Sequence, residues 1–195
     1  MPAPGPVDRH TAQAVFTVVA RVRPDRTVEL YLRSIEGKTA SLLGASCRIG
    51  GLVADIPGPH LDALTTFGHS YGMAFQIVDD VLDVVATDEQ LGKPAGHDLV
   101  EGAYNLPVIR ALKGPEGDEL RSVLGGPISG EPWERARDLV RRSDAIDQSV
   151  AVAQSYVDRA VELLVPFGER PHAVALAGAA RHLLTDLNKV RATTA

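Results

Sequence analysis

The stretch Phe67-Gly68-His69-Ser70-Tyr71-Gly72-Met73-Ala74-Phe75-Gln76-Ile77-Val78-Asp79-Asp80-Val81-Leu82-Asp83 decides how this 195-residue chain is read. Within a helix predicted over 59–86, Leu61, Leu64, Gly68, Tyr71, Phe75, Val78 and Leu82 recur three and four apart, which makes one packing stripe. Gly72, Gln76, Asp79, Asp80 and Asp83 follow the same spacing on the adjoining stripe. A helix rises about 1.5 Å per residue, so Asp79 and Asp83 stand roughly one turn apart and their carboxylates can converge on one point. Three anions that close repel unless a cation lies between them. The donors are hard oxygens with no His or Cys beside them, which favours Mg²⁺ over zinc or copper. A solvated acidic face is the competing explanation. Against it, the apolar Ala74, Ile77 and Val81 flank the acids.

Working outward, helix-forming residues dominate and period-two β-branched runs are scarce. Helices are expected over 8–22, 27–54, 59–86, 98–113, 116–125, 131–142, 145–166 and 171–190. Breaks fall at Pro57-Gly58-Pro59, Gly92-Lys93-Pro94, Gly114-Pro115, Gly125-Gly126-Pro127 and Pro166-Phe167-Gly168. The expectation is an all-α domain over residues 7–195 after a loose, proline-rich 1–6. Hydrophobic residues make up 45% of the chain and the net charge is −5, so no global basic field is present to collect nucleic acid. Cys47 is the single cysteine, which excludes an internal disulfide framework. No apolar run approaches the ~20 residues that span a bilayer, and residues 1–6 lack the features of a secretory signal, so a cytoplasmic location is expected.

Helix 27–54 has an apparent stripe of Leu32, Ile35, Thr39, Leu42, Ser46, Ile49 and Val53, with Lys38 in its middle. Ala40, Ser41, Gly44 and Ala45 would let a second helix approach closely. Lys38 could aim a charge, and Thr39 a hydroxyl, into the interior; a lysine snorkelling at the edge of a packed face is the alternative. Downstream, the Gly92-Lys93-Pro94 turn can return Lys93 towards the carboxylates. Asp98 followed by Glu101 reads equally well as an N-cap with a capping-box partner.

Taken in order, Tyr31 to Ala40 with its Lys38-Thr39 pair, Phe67 to Asp83, and Leu91-Gly92-Lys93-Pro94 through Glu101-Gly102 to Leu106-Pro107 resemble the trans-isoprenyl diphosphate synthases of the polyprenyl synthetase family. The likeness is greatest to the bacterial medium- and long-chain branch. It implies the C-terminal portion of the isoprenoid-synthase helical bundle. By position, Asp79, Asp80 and Asp83 match the second aspartate-rich motif, which holds Mg²⁺ on an allylic diphosphate. Lys38 and Lys93 match the two lysines that bind that diphosphate. Thr39 and Gln76 match polar groups beside the reacting carbons, and Phe75 matches an aromatic that positions the second substrate, isopentenyl diphosphate.

The sequence also departs from the family. Its members are commonly much longer and carry a first aspartate-rich motif upstream, whereas residues 1–30 hold only Asp8, Asp25 and Glu29 as acids. Where the family has Lys and Thr after Glu-Gly, this chain has Ala103 and Asn105. The resemblance therefore implies one subunit of a split synthase, with a partner chain, or a homo-oligomer, completing the site. A non-catalytic regulator of a full-length synthase and an inactive remnant are the alternatives, with a terpene cyclase or a purely structural bundle further off. Product length is not readable, because the residues that set it in the family precede the first motif.

Overall fold

The computed structural model describes residues 25–92, 95–100, 102–124, 128 and 130–194. The predicted helix 8–22, the loose residues 1–6, Lys93, Pro94, Glu101 and the Gly125-Gly126-Pro127 break lie outside them, as does the side chain of His97.

All regular elements among the described residues are helical. α1 (Val28–Ile35) runs through a π-helical turn, Glu36–Ala40, into α2 (Ser41–Val53). Next come the long α3 (Gly58–Val85), α4 (Asp88–Leu91), α5 (His97–Val100), α6 (Leu106–Ala111), α7 (Gly117–Val123) and α8 (Glu131–Arg142). α9 (Ala145–Glu162), a 3₁₀ turn at Val165–Phe167 and α10 (Pro171–Thr194) complete the order. Thr27 caps α1, its side chain accepting from the Leu30 N–H, and Pro59 sits in the first turn of α3, where a missing N–H costs nothing.

α3 is the central rod. It packs most extensively against α2 and α9, and also against α10, α6 and α8. Neighbours on several sides bury most of it, including Phe67, Ala74, Ile77, Val81 and Val84. The expected single stripe of α3 is therefore wrong in detail: Phe75 is exposed and Tyr71 and Leu82 are half-buried, while the supposedly polar stripe is the better buried. The contact of the π turn with α3 depends on Gly72, where a Cβ would stand 2.7 Å from the Ala40 Cα.

The stripe expected along helix 27–54 holds only up to the π turn. Beyond it Leu42 is 66% exposed and Val53 82%, with Ser46 and Ile49 also exposed. A π turn closes on i+5 and so inserts one extra residue, rotating everything after it by roughly 100°. Shifting the pattern by one gives Ala40, Leu43 and Cys47, which are buried or half-buried against α3. The expected helix 98–113 is likewise two helices. Gly102 turns the chain at φ 71°, and Asn105 starts α6 by accepting the Val108 N–H, with Pro107 in its first turn.

Candidate functional site

The acids of α3 separate by burial rather than by helix face. Asp79 points to solvent, whereas Asp80 and Asp83 are each only 7% exposed. Asp80 is gripped from two sides: Tyr31 donates its hydroxyl to Oδ2 at 2.7 Å, and Gln76 donates Nε2 to Oδ1 at 2.9 Å. Gln76 is oriented in turn by Thr39, whose hydroxyl donates to Oε1 at 2.8 Å. A hydrogen-bonded path thus ties the π turn to α3 and returns to α1. Below it, Asp83 accepts the backbone N–H of Asp98 at 3.2 Å, and its carbonyl accepts from Gly96 at 2.7 Å.

This placement changes two expectations. A merely solvated face is excluded for Asp80 and Asp83 and remains open for Asp79 alone. The convergence of three carboxylates is also not observed. Among the described residues no group of three His, Cys, Asp or Glu side chains is arranged to hold a metal ion. Asp83 serves the turn that follows α3, and Asp80 serves Tyr31 and Gln76. Asp98 falls in the first turn of α5 rather than at its N-cap. The donor chemistry still fits a hard cation, because Mg²⁺ needs only one or two carboxylates and completes its shell with water and phosphate oxygens.

A narrow cleft of about 60 Å³ lies in front of these groups, lined by Lys38, Asp79, Asp80 and Asp98 together with Arg26 and Tyr31. Lys38 is exposed at the π turn rather than buried, in keeping with a charge held at a cleft mouth. π turns are frequent at functional sites. Phe75, one turn before Asp79, stacks on Tyr71 with centroids 6.4 Å apart and stays exposed. Lys93 lies outside the described residues. The described turn at Ala95 and Gly96 is latched by Trp133, whose Nε1 donates to the Gly96 carbonyl at 3.1 Å.

Electrostatics at the cleft are strongly perturbed. Burial, reinforced by Asp98 and Asp79, pushes the Asp80 carboxyl up to about 7, while the hydrogen bonds from Tyr31 and Gln76 pull it down. Burial also raises the Tyr31 hydroxyl well above its usual range, with the Asp80 charge adding to it.

Sequence reasoning missed Tyr31 and Arg26. Tyr31 stands seven residues before Lys38 on the same helical path, so a two-turn spacing could have found it. Arg26 precedes the N-cap and carries no periodic signal.

Comparison with known proteins now decides the family. The polyprenyl synthetase family model matches residues 11–134. This chain belongs to the polyprenyl synthetase family. Heptaprenyl diphosphate synthase component 2 of Geobacillus stearothermophilus is 40% identical over 169 residues, covering 86% of this chain and 50% of that protein. Nonaprenyl diphosphate synthase of Mycobacterium tuberculosis is 34% identical over 154 residues, 77% of this chain and 46% of that protein. Among solved structures, heptaprenyl diphosphate synthase from Staphylococcus aureus superposes with a TM-score of 0.82 at 29% identity, covering 89% of this chain and 55% of that one. A polyprenyl synthase from Caulobacter crescentus, complexed with calcium and isoprenyl diphosphate, gives 0.82 at 31% identity, covering 89% and 54%. The chain spans about half the length of the curated relatives it matches.

Proposed function

We propose that this chain supplies the allylic-diphosphate side of a prenyl diphosphate synthase, whose other side comes from outside these 195 residues. The observation that carries the reading is the exposed Asp79 beside Lys38 in a cleft whose inner acid, Asp80, is fixed by Tyr31 and Gln76. Asp79 would hold Mg²⁺ with Asp80 and Asp83 contributing charge behind it, and Lys38 and Lys93 would meet the diphosphate. Bound Mg²⁺ supplies charge stabilisation to the leaving diphosphate.

In the proposed reaction the allylic C–O bond breaks and pyrophosphate leaves with the electron pair. The double bond of isopentenyl diphosphate attacks the cation, and the released proton passes to pyrophosphate. Lys38 fixes charge where the leaving group departs, an electrostatic role that needs no motion during the reaction. Thr39 and Gln76 hold the π turn against α3, and so fix where Lys38 starts. Phe75 offers an apolar ring beside the cleft for the isoprenoid. The exposed apolar residues Leu42, Ile49, Leu52 and Val53 of α2 offer the surface on which the completing polypeptide would pack.

Calorimetry tests the first half directly. Wild-type chain should bind pyrophosphate only with Mg²⁺, and Asp79→Asn should weaken that binding by about a hundredfold, since several kcal/mol of metal-mediated charge pairing is lost. Its melting temperature should not move, because Asp79 is exposed. Equal binding with and without Mg²⁺ would overturn the reading. Condensation activity should appear only when a polypeptide carrying the first aspartate-rich motif is added.

A further inference from the structure

The cleft carries a second fixed positive charge that no motif marks. Arg26 is only 6% exposed and lies just before the N-cap of α1. Its Nη1 donates to the Tyr104 carbonyl at 2.6 Å, and Nη2 donates to the Ser34 hydroxyl. Its guanidinium carbon stands 5.2 Å from the centroid of the Tyr31 ring, the ring whose hydroxyl holds Asp80. Contacts from α1 and from Tyr104, in the segment before α6, thus fix the guanidinium in the same wall that presents Asp80.

Burying a guanidinium is expensive, and the acids that line the same cleft offset part of the cost. In a cleft built only to bind a cation between acids, a buried positive charge would work against the ligand. In a cleft built for an anion that arrives with its cation, the same charge helps. Ala103, which also lines the cleft, carries no charge, and among the described lining residues the cations are Arg26 and Lys38.

We propose that Arg26 is an anion-recognising residue of this cleft, supplying with Lys38 the positive charge that meets a diphosphate. This rests on the magnesium–diphosphate reading above. Arg26 acts from the floor and Lys38 from the mouth, so a diphosphate between them meets positive charge on two sides while its metal faces Asp79. Two of the guanidinium's five N–H donors serve Tyr104 and Ser34 in the bonds described, which fixes the plane of the fork.

The test titrates the whole chain first with Mg²⁺ alone and then with pyrophosphate at saturating Mg²⁺, for wild type, Arg26→Gln, Arg26→Lys and Lys38→Ala, with a thermal melt of each. Arg26→Gln should weaken pyrophosphate about tenfold, the loss typical of one charge-assisted contact. Mg²⁺ alone should bind it as tightly as wild type or more tightly, because a repelling charge is gone. Arg26→Lys should stay within about threefold of wild type for pyrophosphate. A purely structural role predicts something else: Mg²⁺ and pyrophosphate weaken together, the melt falls and lysine does not restore binding. That result overturns the proposal, as does an Arg26→Gln chain that binds pyrophosphate like wild type while Lys38→Ala does not. Should Arg26→Gln melt below the assay temperature, Arg26→Lys decides, since it keeps the charge and loses the fork; binding lost there overturns the proposal. Absence of Mg²⁺-dependent binding in the wild type overturns the underlying reading, and this one with it.

Discussion

The two sides of the C-terminal half of α3 handle buried charge in opposite ways. Facing the cleft, Asp80 is a buried acid balanced by two neutral donors, and its ionisation is pushed up to about 7. At the helix end, Arg137 and Arg141 are basic and spend their donors on backbone. Arg137 donates to the Val84 carbonyl at 2.7 Å and to Ala86, and Arg141 to Val84 at 2.9 Å and Val85 at 2.8 Å. Cations at a helix C-terminus meet its orphan carbonyls and its negative dipole end, so burial there is compensated. At the cleft Arg26 and Lys38 face three acids, Asp79, Asp80 and Asp98, so negative charge is left in excess. One region is finished as structure, and the other is left in want of a ligand.

The largest test of that contrast is pH. The folded chain holds a proton on Asp80 up to about 7, whereas an unfolded aspartate loses it near 3.8. Between those values the folded state binds more protons, so this group's contribution to stability is complete below about pH 4 and is lost as pH rises through about 7. The loss amounts to about 4 kcal/mol. Urea unfolding of metal-free chain should show it as a fall towards pH 8 that is absent in Asp80→Asn. Mg²⁺ with pyrophosphate should restore stability at pH 8, because they bind the ionised cleft. A flat metal-free profile in the wild type would break the comparison at its root.

Next in size is the basic end. Arg137→Met removes two charge-assisted hydrogen bonds, although Arg141 still donates to the Val84 carbonyl, and should cost about 3 kcal/mol. That corresponds to roughly 6–12 °C in Tm for a chain of this size. Pyrophosphate binding by the folded fraction should be unchanged. Loss of binding in step with stability would mean that the two regions are one.

The sequence made the same contrast only half visible. α3 was legible because apolar residues surround its acids and Pro57-Gly58-Pro59 marks its start. The asymmetry between Asp79 and its neighbours was not, because it depends on Tyr31 and Asp98, brought in from elements before and after α3. Lys38 and Thr39 stood out, yet the π turn that carries them was hidden. It shifts the register by one residue, and that alone put Leu42, Ile49 and Val53 on the wrong face. Asn105 and Pro107 did carry a helix-start signal, and Gly102 a break. They were overridden by an apolar pattern that ran on through them. The arginine cap had no sequence signal, since a basic helix end reads as ordinary solvated surface.

Between the two regions lies the turn latched by Trp133, and Gly96→Ala probes it with a smaller effect. Gly96 has φ 69°, and an added Cβ would stand 2.7 Å from the indole. Left-handed strain and the displaced ring should together cost about 2 kcal/mol. Trp133 is the only tryptophan in the chain, so its fluorescence reports the displacement directly. An unchanged spectrum with unchanged Tm would show that the latch does not hold the turn.

The smallest effect is the most pointed. Tyr31→Phe keeps the ring under Arg26 and removes only the hydroxyl that donates to Asp80. The stability cost should be about 1 kcal/mol, the net worth of one hydrogen bond. Because that bond favours ionised Asp80, its loss should raise the carboxyl's folded-state pKa further. The pH-dependent fall in stability should then extend to higher pH than in the wild type, while Arg137→Met, at the other region, should leave its position unmoved. Urea unfolding across pH 5–9 reads both. A midpoint that moves down, or one that moves equally in both variants, would show that Tyr31 does not hold Asp80 and that the cleft's charge is set elsewhere.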